Sequence, residues 1–320
     1  MLFRPLIGLA AALSLAACAP APDATSSTPM VGGAVSAADP RAEAAGYEIL
    51  RKGGSATDAA IAVMLALTVV EPQSSGIGGG GFMVYGGPGG AVTTFDGRET
   101  APAGATPEWF LDADGKVPPF GESVRSGLSV GVPGNVALAA KAHAEHGKLE
   151  WAELFGPAIT LARDGFRINP RLNSSLADNK DRGARSASAM ALYYDAAGEP
   201  LPVGTTVTNP ALAAVLESIA QEGREAFYRG ELASEIARTV AEDTPRQTPM
   251  NLRDIEGYQA KERAALCAPY RTYRICAMGP PTSGGIAVLQ MLGQLKRFDL
   301  AALGPRNPVT WHLFLESQRL

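Results

Sequence analysis

Glu71-Pro72-Gln73-Ser74-Ser75-Gly76-Ile77-Gly78-Gly79-Gly80-Gly81-Phe82-Met83-Val84-Tyr85 is the stretch whose flanks decide how the rest of the chain is read. Gly76, Gly78 and Gly81 satisfy Gly-x-Gly-x-x-Gly, the dinucleotide-binding pattern. That pattern needs a strand before it and a helix after it, so that a helix N-terminus can meet the pyrophosphate. Here the order is reversed. Upstream, Ala59 to Val70 is almost wholly apolar and reads as a helix buried on all sides, too short to cross a membrane. Downstream, Phe82 to Tyr85 and Ala91 to Asp96 read as a strand hairpin. A nucleotide cradle is therefore excluded. The glycines are left for close passage of backbone past another segment or past a substrate, with no Cβ in the way.

Working outward, Asp39-Pro40 places a capping side chain before a proline at the first helical position, and Gly53-Gly54 is the matching stop. A helix over 40–52 follows. Ser55 caps the next helix, and Asp58 three residues on favours its positive end. Further helices are expected at about 135–146, 151–164, 209–222 and 230–241. A strand pair at 264–279 leads through Gly279-Pro280-Pro281-Thr282-Ser283-Gly284-Gly285 into a helix from Ile286. There is no internal repeat. Helices mixed with antiparallel hairpins predict an α+β fold, not an alternating parallel sheet.

With 320 residues, 46% apolar and 19% charged, the chain has enough apolar material for a substantial core. Its 28 basic and 32 acidic residues give a net charge of −4, so no global field draws it to nucleic acid or to an anionic membrane. At the start, Arg4 and the apolar run Leu6 to Leu15 read as a secretory signal. Leu15-Ala16-Ala17-Cys18 resembles the bacterial lipobox, which makes 1–17 a lipoprotein signal peptide and Cys18 a lipid-carrying first residue in the envelope, facing the periplasm. An ordinary secretory signal with an incidental cysteine is the other reading. Residues 18–30, rich in Ala, Pro, Ser and Thr, read as a tether, and 31–320 as the folded region.

Cys267 and Cys276 remain, an even number in an oxidising compartment. They stand symmetrically about Arg271-Thr272. If those two residues form the loop of a hairpin, the cysteines face each other as a non-hydrogen-bonded pair with close side chains. A structural disulfide there closes a short loop worth ~2–3 kcal/mol. No histidine or further cysteine stands nearby to complete a tetrahedral metal set.

Two features compete for chemistry. Gly127-Leu128-Ser129-Val130-Gly131 matches the nucleophile elbow of serine hydrolases, although Val132-Pro133-Gly134 intervenes before the next helix. The available bases are His143, His146 and His312, of which the first two read as an exposed face near a helix end. Arg98, in Phe95-Asp96-Gly97-Arg98-Glu99-Thr100-Ala101-Pro102, reads on spacing as a surface residue paired with Asp96 or Glu99.

Six blocks then resemble the large-subunit half of γ-glutamyltransferases: Gly53 to Ala60, Glu71-Pro72-Gln73-Ser74 with Gly78 to Phe82, Asp96 to Glu99 with Ala101-Pro102, Val130 to Gly134, Ala226 to Gly230, and Pro280 to Ile286. They occur in family order from about residue 31 onward. The resemblance implies an N-terminal-nucleophile hydrolase, an αββα sandwich built from both halves of a self-cleaving precursor and incomplete in this chain. In that chemistry a freed N-terminal threonine attacks a γ-glutamyl amide, its own amine serving as base. Backbone donors stabilise the oxyanion.

Of the family's site residues only Arg98 is matched here, the arginine that holds the glutamate α-carboxylate. No catalytic residue is matched, and the chain is expected to lack activity alone. The implied partners are a small γ-glutamyl donor such as glutathione, a C-terminal small subunit, and the membrane through the anchor. No metal or organic cofactor is required. The alternatives are a cephalosporin or glutaryl acylase of the same family, a Ser129 hydrolase, and a non-catalytic lipoprotein.

Overall fold

The computed structural model describes residues 33–319; Cys18, the signal-like segment and the tether lie outside them. Helix α1 (Pro40–Arg51) starts where Asp39 accepts the Arg41 backbone N–H, and α2 (Ala56–Val70) starts on a full capping box between Ser55 and Asp58. The two helices pack on each other, and Gly46 lets Val35 and Val63 come against α1. Of α2, Ile61, Ala62, Leu65, Ala66, Val69 and Val70 are buried in the main core. Ala56 and Ala60 are exposed, so burial covers most of the helix and not every side of it.

Beyond the glycine run, β1 (Gly81–Gly86) pairs antiparallel with β2 (Val92–Gly97), setting Met83 opposite Phe95. Strand Lys261–Ala264 joins the other side of β2, giving one three-stranded antiparallel sheet. The strand pair expected over 264–279 shares only Ala264 with this strand. The hairpin proper is Leu266–Tyr270 with Tyr273–Ala277, a separate two-stranded sheet in which Cys267 pairs with Cys276 and the two are disulfide-bonded. Arg271 begins its two-residue turn with a φ of 55°.

Helix Asn135–His146 lies across the first sheet, closing a small apolar cluster of Phe95, Leu138 and Ala142 with Met83 and Tyr85 at its edge. Helices Gly156–Asp164, Pro210–Glu222 and Gly230–Glu242 continue the main core. Helices Pro170–Asp178 and Ala187–Tyr193, and the short strand pair Phe166–Arg167 with Thr206–Val207, have no counterpart in the sequence reading. The architecture is α+β.

Two buried carboxylates tie distant segments to the α1–α2 pair. Asp39 is gripped by Arg41 through Nε at 2.7 Å and Nη2 at 2.6 Å, and Asn169 donates to it at 3.1 Å. Burial by itself would raise the Asp39 carboxyl; the Arg41 hydrogen bonds and charge outweigh it and hold the group below its ordinary 3.8. Asp58 Oδ2 accepts the backbone N–H groups of Ser55, Lys148 and Leu149 at 2.8, 2.9 and 3.2 Å.

Asp58→Ala leaves three donors without their acceptor and is expected to lower stability by about 3 kcal/mol in urea unfolding, against about 1 kcal/mol for Ser55→Ala. For Asp39 the sign follows from its depressed folded value. Its contribution is complete above about pH 3.8 and lost as pH falls further. The stability deficit of Asp39→Ala should therefore be constant near neutrality and shrink below about pH 3.8; a deficit independent of pH down to acid unfolding would contradict the ion pair.

Candidate functional site

Arg98 sits one residue beyond β2, where three backbone segments cross with almost no side chains between them. A Cβ on Gly80 would stand 2.5 Å from the Gly97 carbonyl and 2.7 Å from the Glu99 backbone N. A Cβ on Gly97 would run into Leu138, and one on Gly134 into the Gly97 carbonyl and the Tyr258 hydroxyl. Backbone hydrogen bonds pin the crossing. Gly134 and Asn135 both donate to the Gly79 carbonyl, at 2.8 and 3.0 Å, and Val132 donates to Thr100 at 2.8 Å. The Asn135 side chain donates to the Gly76 carbonyl at 2.8 Å.

Around this crossing the charges are sorted. Asp96 is buried and pairs with Arg263 at 2.7 Å, while its other oxygen accepts the Arg98 backbone N–H at 2.9 Å. With Asp96 already neutralised by Arg263, the Arg98 guanidinium has one partner among the described residues, Glu99, at 3.0 Å. The Arg98 side chain is 55% exposed, and most of its five N–H donors are left for a ligand. Its carbonyl accepts from the Tyr258 hydroxyl at 2.7 Å. Burial, followed by the negative charges of Asp96 and Glu99, pushes that phenol up to about 12, so it stays a donor across the physiological range.

Tyr258 stacks on Tyr228 with ring centroids 5.9 Å apart. Tyr228 is fully buried and donates to the Pro133 carbonyl at 2.9 Å. Burial raises its phenol well above the ordinary range. Neither tyrosine was singled out as a site residue from sequence. Their signal is weak, because a phenol that props a loop looks like any core aromatic.

The competing features are not assembled. Ser129 lies in the 3-10 turn Gly127–Ser129 and donates to the carbonyls of Val124 and Ser126, at 3.1 and 3.2 Å. Among the described residues no histidine bonds it. His143 and His146 are half-buried and not on an exposed face. His143 meets the Leu149 carbonyl at 2.8 Å and Trp151 edge-on, and His146 stacks on Tyr85 at 3.8 Å. No group of three potential metal ligands occurs among the described residues. A cleft of about 730 Å³ elsewhere is rimmed by Glu222, Glu225, Glu231 and Glu235, with one cation, Arg229, which already pairs with Glu225 at 2.6 Å. With four carboxylates to one paired guanidinium the rim is net acidic and disfavours a carboxylate ligand, and Arg98 is not part of it.

Similarity to known proteins places the chain in one family. The family model described as gamma-glutamyltranspeptidase matches residues 42–320. The chain is 39% identical over 289 residues to a glutathione hydrolase proenzyme of Bacillus subtilis, covering 90% of this chain and 48% of that protein. It is 37% identical to the Escherichia coli glutathione hydrolase proenzyme, covering 90% and 49%. It thus spans about half the length of the curated relatives it matches. Among solved structures, the Helicobacter pylori gamma-glutamyltranspeptidase superposes with a TM-score of 0.84 at 34% identity, covering 90% of this chain and 81% of that one. A cephalosporin acylase from Bacillus halodurans superposes at 0.76 with 29% identity, covering 87% and 51%.

The crossing yields a prediction with its own control. Gly80→Ala should destabilise the fold by about 2–4 kcal/mol, because the new methyl would stand against the backbone of Gly97 and Glu99, which is pinned and cannot give way. Gly78→Ala, with open space around it, should fall within about 1 kcal/mol of the parent in thermal unfolding.

Proposed function

Since the chain belongs to the γ-glutamyltranspeptidase family, we propose that it supplies the part of a γ-glutamyl transferase or glutathione hydrolase that grips the glutamate end of the donor. The observation that carries this is Arg98, a guanidinium presented to solvent with one carboxylate neighbour among the described residues, on a loop that three backbone segments hold in place. A planar fork binds a carboxylate through two parallel charge-assisted hydrogen bonds, fixing direction as well as charge. Holding the α-carboxylate this way would leave the γ-amide extended away from the loop toward the nucleophile.

In this reading the attack is made by the family's freed N-terminal threonine, which the resemblance does not map onto any residue of this chain. The acyl-enzyme then passes its glutamyl group to water or to an acceptor amine. The partner is a second polypeptide segment that carries the threonine and the oxyanion donors and completes the αββα sandwich. Lipidation at Cys18, with the enzyme held in the envelope and facing the periplasm, belongs to the same proposal and is supported by the lipobox-like Leu15-Ala16-Ala17-Cys18. The acylase reading is less favoured: a glutaryl side chain has no α-amino acid end and offers Arg98 only its terminal carboxylate.

In the complete enzyme, Arg98→Ala should cost ~2–4 kcal/mol of transition-state binding to a γ-glutamyl anilide, read from kcat/KM by chromophore release. Arg98→Lys should recover part of the loss, since charge returns without the fork. Thermal stability should change little, because the side chain is half exposed. Near-normal kcat/KM in Arg98→Ala would overturn the assignment.

A further inference from the structure

The disulfide of the separate hairpin differs in its surroundings from an inert structural crosslink. Cys267 is exposed and Cys276 half-buried. The Nη2 of Arg274 lies 3.2 Å from the Cys267 sulfur, while Nη1 of the same guanidinium donates to the Gly90 carbonyl at 3.0 Å, in the turn between β1 and β2. A fixed cation thus stands against one sulfur of the pair, at the surface. The hairpin's two strands pair with each other and with no other strand among the described residues, so the bond does not lie within a larger sheet.

We propose that Cys267–Cys276 is a thiol-exchange site that reacts with small thiols while the protein remains folded. An incoming thiolate attacks the Cys276 sulfur in line with the S–S bond. The Cys276–Cys267 bond breaks as the new S–S bond forms, and the electron pair leaves on Cys267, where the Arg274 guanidinium stabilises the thiolate. A better-stabilised leaving thiolate departs faster. A second small thiol then attacks the mixed disulfide and releases Cys276 as a thiolate. In sum, two small thiols lose two electrons and become one disulfide, the protein pair gains those electrons, and the two thiol protons end on Cys267 and Cys276.

The local structure gives the exchange somewhere to act. Cys276 is followed by Ala277 and Met278, and a Cβ on Gly285 would meet the Met278 carbonyl and the Ala277 Cβ, so the start of helix Gly284–Leu295 is seated on the end of the second strand. That helix also packs on the first strand. Opening the bond frees the two strands to shift beneath it.

The test is the rate at which the full chain loses its disulfide to reduced glutathione or dithiothreitol under native conditions, followed by alkylation and mass mapping, in the parent and in Arg274→Gln and Arg274→Lys. Glutathione should leave a mixed disulfide on Cys276. Arg274→Gln should slow reduction by about 3–10-fold, and Arg274→Lys should restore most of it, because charge beside the leaving sulfur is what matters. Equal rates in parent and Arg274→Gln, adducts on Cys267 alone, or reduction that occurs only where circular dichroism reports unfolding, would each overturn the proposal.

Discussion

At Gly80, Gly97 and Gly134 three lengths of backbone approach more closely than any side chain would allow, and the placement of Arg98 follows from that contact. β2 ends at Gly97, the glycine run arrives from α2 just ahead of β1, and helix Asn135–His146 begins at Gly134. The carbonyl of Gly79 takes two N–H groups from the helix start, so the loop and the helix cannot move separately. In a close-packed interior such a contact has one arrangement, and a methylene inserted into it must push backbone. Rigid support beneath an exposed, charged side chain is the condition for directional carboxylate binding.

Charge follows the same division. Asp96 lies beneath the surface and takes Arg263, together with the Arg98 backbone N–H. Were Arg263 missing, the buried carboxylate would draw Arg98 inward as its counter-ion, since an unpaired buried charge is costly. The Tyr258 hydroxyl, held protonated by burial and by the nearby carboxylates, finishes the loop by bonding the Arg98 carbonyl. Tyr228 supports Tyr258 by stacking and bonds Pro133 on the segment that leads into Gly134. Segments widely separated in sequence therefore converge on one residue through backbone contacts, two phenols and one ion pair.

Much of this was legible in sequence wherever the signal is local. Asp39-Pro40, Ser55 with Asp58, and Arg271-Thr272 each state a cap or a turn in a few residues, and each forms as read. The glycine run announced close passage, but not that Gly80 is pressed between Gly97 and Glu99 while Gly78 stands in open space. That distinction depends on segments far away in the chain. The same limit explains strand Lys261–Ala264, whose Lys-Glu-Arg-Ala has neither alternation nor β-branched residues and becomes a strand because β2 offers it an edge. His143 and His146 look exposed by helix position, yet Trp151 and Tyr85 arrive from other segments to cover them. Pairing of Arg98 with Glu99 could be read from adjacency, whereas its release from Asp96 required Arg263.

Stability is unevenly distributed along the chain. The main core draws its buried residues from Ala42 to Tyr258, whereas beyond it Ile286, Val288, Val309, Trp311 and Leu315 stay substantially exposed. Met278 and Leu295 are buried there, but less apolar area is removed from water than in the main core, and burial is the dominant source of folding free energy. A region so built depends more heavily on its covalent link and on discrete polar contacts, such as Arg271 with the Phe298 carbonyl and Trp311 with the Pro305 carbonyl. The Cys267–Cys276 bond therefore matters more to its own neighbourhood than it would inside the helical core, where many apolar contacts would hide its loss. A chemical event at those two sulfurs would be felt in the helix seated on the hairpin and much less at the three-glycine crossing beneath Arg98.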